Sequence, residues 1–340
     1  MLIFNKLPAM SETALYPLLF KPIYQYRLWG GRRLANLLTE PLPEGPVGEA
    51  WILSDRDDHA SEVTNGKLKG KTLSELFKHE QKALMGKHAG MFDRFPLLLK
   101  FLDAREVLSV QVHPSDDQKQ YKPKGDTGKT EAWVVLETGA RSLIYAGLEP
   151  DTNEAKLRKA LDENNVDKYV HCFTPEIGDG VFIHSGTVHT LADVVVFEIQ
   201  ENSDTTYRLY DWNRIDERTG KPRELQVDKA IACIDFGITD VGPVTPVKES
   251  RVPIKREELF NNEHFVLECI RTVLKFDIAT TNEPRILVCT HGVAQVEYEN
   301  TTCPLKRGDV MLLPASVALV TVLPQGEITL LEATIPPKAN

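Results

Sequence analysis

The chain has no C-x-x-C pair, and its five cysteines (Cys172, Cys233, Cys269, Cys289, Cys303) are an odd number. That speaks against a disulfide framework and for free or buried thiols in a reducing compartment. No apolar run approaches the roughly 18 residues needed to span a bilayer. The opening Met1-Leu2-Ile3-Phe4-Asn5-Lys6 has too short an apolar stretch, and the wrong order of charges, for a secretory signal. A soluble cytoplasmic protein is expected, with Met10 as an alternative start that would leave residues 1–9 as an extension. Net positive charge is also lacking. The formal charge is −9, from 40 Lys+Arg against 49 Asp+Glu, which argues against nucleic acid or an anionic membrane as partner. A few local cations can still hold one phosphate. Finally, no short H-x-x-x-H run forces metal ligands together.

What is present is an ordinary globular composition, 42% apolar and 26% charged over 340 residues. At roughly 150 residues per domain the length allows two. Residues 16–60 read as short strands broken by prolines, with a sharp bend at Gly30-Gly31; Glu49 is expected to pair with a nearby arginine. Residues 72–90 shift to a helical period, with Thr72 as N-cap and Glu75 as its capping-box partner. Phe95–Leu102 is a near-continuous apolar run read as a buried strand. Lys100 inside it is costly to bury unless it meets an anion, which makes it a candidate substrate ligand. A helix is expected over 151–164, capped near Asp151-Thr152, and another over 224–236. Residues 238–258 lack a clear period and read as linker, and 259–336 returns to short strands.

The chemistry concentrates on alternating strands. In Leu108-Ser109-Val110-Gln111-Val112-His113-Pro114 the polar residues 109, 111 and 113 share a face. Lys129 and Glu131 share a face at the start of another strand, as do Glu198 and Gln200 in Val194–Gln200, and Arg208 alternates with apolar neighbours in Thr206–Asp211. His189 is delivered by a Gly-rich turn eleven residues after Gly178. The same offset from Gly308, in a similar Gly-Asp-strand segment, lands on Leu319. If both units are β-barrels, only the first can bind metal. Gln111, His113, Glu131 and His189 thus form a set of two imidazoles, a carboxylate and an amide. Two histidines and a carboxylate are a common catalytic zinc set, and the same set suits Fe(II), so ligand type leaves the metal open.

Ser109-Val-Gln111-Val-His113-Pro114, Gly128-Lys129-Thr130-Glu131-Ala-Trp133, Ser185-Gly-Thr-Val-His189 and Asn202-Ser-Asp-Thr-Thr-Tyr-Arg208 together resemble the type I mannose-6-phosphate isomerases in their shorter bacterial form. Trp29-Gly30-Gly31 and Gly48-Glu49-Ala-Trp51 support the likeness, which runs from about Pro22 to the end. The resemblance implies a mainly β fold of two cupin-like β-barrel (jelly-roll) units with a few short helices, the second without metal ligands. With the length it implies a tail at 1–15, a catalytic domain over 16–240, a linker over 241–258 and a C-terminal unit over 259–340. It implies one Zn²⁺ held by Gln111, His113, Glu131 and His189, and interconversion of mannose 6-phosphate with fructose 6-phosphate through an enediol. Arg208 matches the active-site arginine. Lys100, Lys129 and Ser109 fall at pocket positions, and Glu198 falls where a proton-transferring carboxylate is expected. His184 stands where relatives usually carry proline, and reads as a solvated turn residue. The expected partner is a sugar phosphate, with the chain a monomer or weak homo-oligomer. Two other readings stay open at this point: a metal-dependent cupin dioxygenase, and a non-catalytic sugar-phosphate binder.

Overall fold

The alternation read in the sequence becomes one antiparallel sheet with a polar face and an apolar face. A computed structural model describes residues 14–251 and 254–337. The expected tail up to residue 13, and with it the alternative start, lies outside the described residues. Among the described residues a nine-stranded sheet runs in the order Gly180–Ile183, Glu131–Leu148, His189–Glu201, Leu97–Ala104, Glu49–Leu53, Ile23–Gln25. Val110–Val112 adds to it at His189, Tyr207–Tyr210 adds to Val110–Val112, and Val170–Phe173 pairs with Glu131–Leu148.

Register decides which residues meet. Lys100 stands opposite Trp51 on one side and Glu198 on the other, and Glu198 stands opposite Trp133. Neighbouring side chains alternate faces, so the residues between them point the other way. These are Ala50, Leu99, Phe101, Ala132, Val134, Phe197 and Ile199, all buried in one apolar cluster. The Phe101 and Phe197 rings lie 5.7 Å apart, and each such side chain contributes roughly 1.5–3 kcal/mol by burial. Phe95–Leu102 reads as continuously apolar because its strand, Leu97–Ala104, is buried on both faces.

The helix Leu73–Met85 packs Leu73, Leu76, Phe77, Leu84 and Met85 into the same cluster. Its capping box is formed: Glu75 N–H donates to Thr72 Oγ1 at 3.2 Å and Thr72 N–H donates to Glu75 Oε2 at 2.9 Å. Gly86 ends it at φ 55°, where a Cβ would lie 2.2 Å from the carbonyl oxygen of Asn282. The second helix, Glu154–Asp162, begins later than expected. Its cap is Asn153, whose Oδ1 accepts Lys156 N–H at 3.0 Å, while Asp151 takes up a left-handed φ of 62° outside it. The third helix is only Val227–Cys233.

Apart from two short hairpins (Asp55–Arg56 with His59–Ala60, and Ile215–Asp216 with Lys221–Pro222), the other strands form a seven-stranded sheet (Leu18–Leu19, Val310–Leu313, Arg285–His291, Ile328–Thr334, Val266–Thr272, Ile254–Asn261, Val247–Arg251) and a four-stranded one (Phe276–Ala279, Leu319–Pro324, Val293–Tyr298, Thr301–Lys306). Ile270, Leu287, Met311, Val320 and Leu330 are among the residues buried between them. Part of the stretch read as linker is therefore a hairpin, Val247–Arg251 with Ile254–Asn261. Its period was hidden because charged pairs replace apolar ones: Arg256 meets Glu268 and Glu332 at 3.0 Å each, and Glu257 meets Lys255 and Arg271 at 2.8 and 3.3 Å. Leu18–Leu19, from the other end of the chain, closes the far edge of the seven-stranded sheet against Val310–Leu313. Among the described residues no helix is long and apolar enough to cross a membrane.

Candidate active site and metal centre

Three segments converge at the end of the polar face. Gln111 pairs with His189 on one side and with Arg208 on the other, His113 follows the strand Val110–Val112, and Glu131 opens its own strand opposite Gln200. The Ser185-Gly186 turn before His189 is tied directly to the first histidine, because Gly186 N–H donates to the carbonyl of His113 at 2.9 Å. Gly186 has φ 89°, a conformation glycine adopts without strain.

His113, Glu131 and His189 are fully buried, and one donor atom from each lies within 4.8 Å of the others. Glu131 Oε2 is 3.4 Å from His113 Nε2 and its Oε1 is 3.4 Å from His189 Nε2. The opposite ring nitrogens are occupied: His113 Nδ1 donates to the carbonyl of Thr205 at 3.1 Å and His189 Nδ1 to that of Thr187 at 2.9 Å. This fixes the tautomer so that each Nε2 presents a lone pair. Burial and then the Lys129 ammonium push His113 down to about 3. Burial also lowers His189. Burial alone would raise Glu131, but Lys129 and the two imidazoles outweigh it and hold the carboxyl well below its usual range. Neutral imidazoles with an ionised carboxylate are the protonation states a divalent cation requires. Glu131 Oε1 is buried without a hydrogen-bond partner, an acceptor suited to a cation. The donor set fits a metal. Gln111 lies against it with Nε2 3.1 Å from His189 Nε2. Lys129 Nζ contacts Glu131 Oε2 and lies 3.0 Å from His113 Nε2, supplying positive charge to these donors.

Next to the donors is a cavity of about 400 Å³ whose lining includes Lys100, Ser109, Gln111, Lys129, Glu198 and Arg208. Lys100 is buried with Nζ 3.3 Å from Glu198 Oε1, 4.0 Å from Glu49 Oε2 and 4.9 Å from the centre of the Trp51 ring. Glu198 Oε2 accepts Trp133 Nε1–H at 2.9 Å. Burial, and next the charge of Glu131, raise the Glu198 carboxyl, with Lys100 and Lys129 opposing. Arg208 donates Nη1–H to the carbonyl of Glu224 at 2.8 Å, but its Nε is buried without a partner. Burial and the neighbouring Arg223 lower its pKa. It is a guanidinium with donor capacity to spare.

The structure thus brings all nine sequence-read site residues to one cavity and its adjoining donor cluster. It adds Arg27, Glu49 and Arg223, which the sequence reading left out of the site. Glu49 does pair with an arginine, accepting from Arg27 Nε at 2.7 Å and Nη2 at 3.1 Å. It also faces Lys100 and accepts Trp51 Nε1–H at 2.6 Å. Burial would raise its carboxyl, but Arg27 and Lys100 bring it to about 2. The available signal was Gly48: a Cβ there would lie 2.5 Å from Arg27 Cβ and 2.7 Å from the Trp29 ring, so the glycine makes room for the arginine. His184 is exposed, with Nδ1 2.8 Å from the carbonyl of Ser185, and takes no part in the donor cluster.

Comparison with known proteins agrees with this geometry. The family model described as phosphomannose isomerase type I, catalytic domain, matches residues 18–131. The chain is 35% identical over 306 residues to mannose-6-phosphate isomerase ManA of Bacillus subtilis (strain 168), an alignment covering 88% of this chain and 93% of that protein. It is 31% identical over 308 residues to mannose-6-phosphate isomerase of Streptococcus mutans serotype c (strain ATCC 700610 / UA159), with 88% and 93% covered. A crystal structure of the mannose 6-phosphate isomerase from Bacillus subtilis matches with a TM-score of 0.86 at 32% identity, covering 94% of this chain and 99% of that one. The curled, mainly β architecture is the cupin fold of these enzymes. The chain is an isomerase and belongs to the type I mannose-6-phosphate isomerase family.

Proposed function

We propose that the chain interconverts mannose 6-phosphate and fructose 6-phosphate through an enediol, with zinc held by His113, Glu131, His189 and Gln111. When bound, the metal supplies a Lewis acid for the sugar oxygens at C1 and C2. Gln111 reaches that role by turning its amide oxygen towards His189. The observation that carries the reading is the buried pair Lys100–Glu198, which opens onto the same cavity as Arg208 and the donor cluster.

The isomerisation takes a proton from C2 of the aldose, or C1 of the ketose, and returns it to the other carbon. A carboxylate with a raised pKa is a stronger base than an exposed one, and Trp133 fixes Glu198 through Oε2, leaving Oε1 to face the substrate carbon. Glu198 moves the carbon-bound proton. Lys100, on Glu198 Oε1, keeps that oxygen ionised and donates towards the negative charge that develops on the enediolate. Lys129 holds Glu131 and the neighbouring oxygen of the sugar. Arg208, with its spare donor, takes the phosphate, and Ser109 borders the same space. We place the catalytic unit at 16–240 and a second β unit, which lends no donor to the His113–Glu131–His189 centre, at 259–340.

The test is a coupled assay for fructose 6-phosphate, with and without a chelator. Glu198→Gln should lower kcat by roughly 10²–10⁴-fold, the usual contribution of a positioned general base, with metal content unchanged by elemental analysis. Near-normal turnover in that variant would remove Glu198 as the base.

A further inference from the structure

Glu201 is a buried carboxylate the catalytic scheme leaves unused. It ends the strand His189–Glu201 and is 5% exposed. Its Oε2 accepts the N–H of Thr130 at 2.8 Å, the residue between Lys129 and Glu131. Its Oε1 faces Nδ1 of His264 at 3.4 Å, just ahead of the strand Val266–Thr272 in the C-terminal sheet. Asp116, in the loop after His113, completes the group: one donor atom from each of the three lies within 4.8 Å of the others. Asp116 is held in place by Gly128 N–H at 2.7 Å and Lys122 Nζ at 3.1 Å, and both contacts fall on Oδ1, leaving Oδ2 for another partner.

Two features separate this cluster from a chance meeting of acids. One donor is an imidazole whose pKa burial lowers, so it offers a neutral lone pair at physiological pH. In addition, Asn202 lines the same cavity, of about 260 Å³, and is 2% exposed. It gives its amide N–H groups to the carbonyls of Phe95 and Asp55 at 2.7 and 3.2 Å. Its amide oxygen is left without a hydrogen-bond partner. Burial, and next the charge of Asp116, push the Glu201 carboxyl up to about 8. A cation would relieve that repulsion.

The geometry points to a second divalent-cation site, formed by Asp116, Glu201 and His264 and independent of the His113–Glu131–His189 centre. Two oxygens and an imidazole suit a first-row ion such as zinc or manganese, whereas calcium takes oxygen ligands. Lys122 on Asp116 and Arg94 in the cavity wall make it the weaker of the two sites. Occupancy would keep Glu201 ionised against Thr130 N–H, and so hold the backbone that carries Lys129 and Glu131.

The test is uptake of Zn²⁺ by the chelator-stripped full chain, followed by calorimetry and by elemental analysis after desalting. Wild type should bind two equivalents, the second more weakly. Asp116→Asn and His264→Gln should each lose the weaker equivalent, while His189→Leu should keep it. Asp116 is exposed, so its variant should melt with the wild type and report on binding alone. A weaker equivalent that survives in either variant, or is never seen, overturns the site. Because His189→Leu removes only the other centre, that result stays distinct from a failure of the zinc reading above.

Discussion

Two turns, one in each half of the chain, are built alike and lead to different ends. Gly178 and Gly308 have φ of 95° and 91°. Asp179 Oδ2 accepts Glu176 N–H at 2.8 Å, and Asp309 Oδ2 accepts Lys306 N–H at 2.9 Å. Each turn feeds a short strand, Gly180–Ile183 or Val310–Leu313. Eleven residues after the first glycine stands His189, buried among metal donors. Eleven after the second stands Leu319, 51% exposed. Turn and strand are therefore scaffold, and the donor is added to it. The buried charges differ in the same way. Glu332 in the C-terminal sheet is shared between Arg256 at 3.0 Å and Arg285 at 2.5 Å. Arg208 in the catalytic sheet and Arg285 in the C-terminal sheet each keep a buried Nε unmatched, but among the described residues it is the catalytic sheet that leaves a buried carboxylate oxygen, Glu131 Oε1, without a partner. Matched charges hold a sheet together, whereas unmatched ones are available to a ligand.

The sharpest way to break the contrast is to give the first turn the second turn's residue. His189→Leu should abolish isomerase activity and remove the tighter metal equivalent, read by the coupled assay and elemental analysis, while the fold persists by circular dichroism. The converse loss lies in the C-terminal sheet. Glu332→Gln leaves two arginines short of a partner and should cost roughly 1–3 kcal/mol, discounted because both guanidiniums are partly exposed. Urea unfolding would show it, with kcat and KM unchanged. Glu49 sharpens the comparison through pH. Its folded pKa of about 2 lies below the ordinary carboxylate value, so it contributes stability at neutral pH that is lost as pH falls from about 4.5 towards 2. Glu49→Gln should be less stable at pH 7 and lose less between pH 5 and 3 in the same unfolding experiment. The smallest effect is expected for Leu319→His, which puts the donor type at the second turn without the surrounding ligands. Metal content, activity and melting temperature should all match the wild type.

Much of the site was legible because strand alternation is a local signal. Ser109, Gln111 and His113 are spaced two apart, as are Lys129 and Glu131, and that period survives without knowledge of partners. The capping box at Thr72 and Glu75 is likewise complete within four residues. Cross-strand register is not local. Glu49 reaches Lys100, and Lys100 reaches Glu198, only because three strands align, so the sequence shows a lone carboxylate among apolar neighbours and nothing of the cavity it borders. The paired strands Val247–Arg251 and Ile254–Asn261 show no apolar alternation in the sequence because their cross-strand partners are largely charged. The cap at Asn153 was missed by two positions because Asp151 and Thr152 are equally good capping types.

The pairing of Leu18 with Leu312 and Leu19 with Met311 also sets an order of events during synthesis. The nine-stranded sheet uses strands between Ile23 and Tyr210, so all of it can leave the ribosome and assemble while the C-terminal third is still being made. Leu19 can bond early to Thr64 N–H and Asn65 Oδ1, but the ladder with Val310–Leu313 must wait until that strand has emerged, and closing so long a loop is slow. The seam stays open in the interval, which leaves a nascent chain accessible there to a chaperone or to a wrong partner.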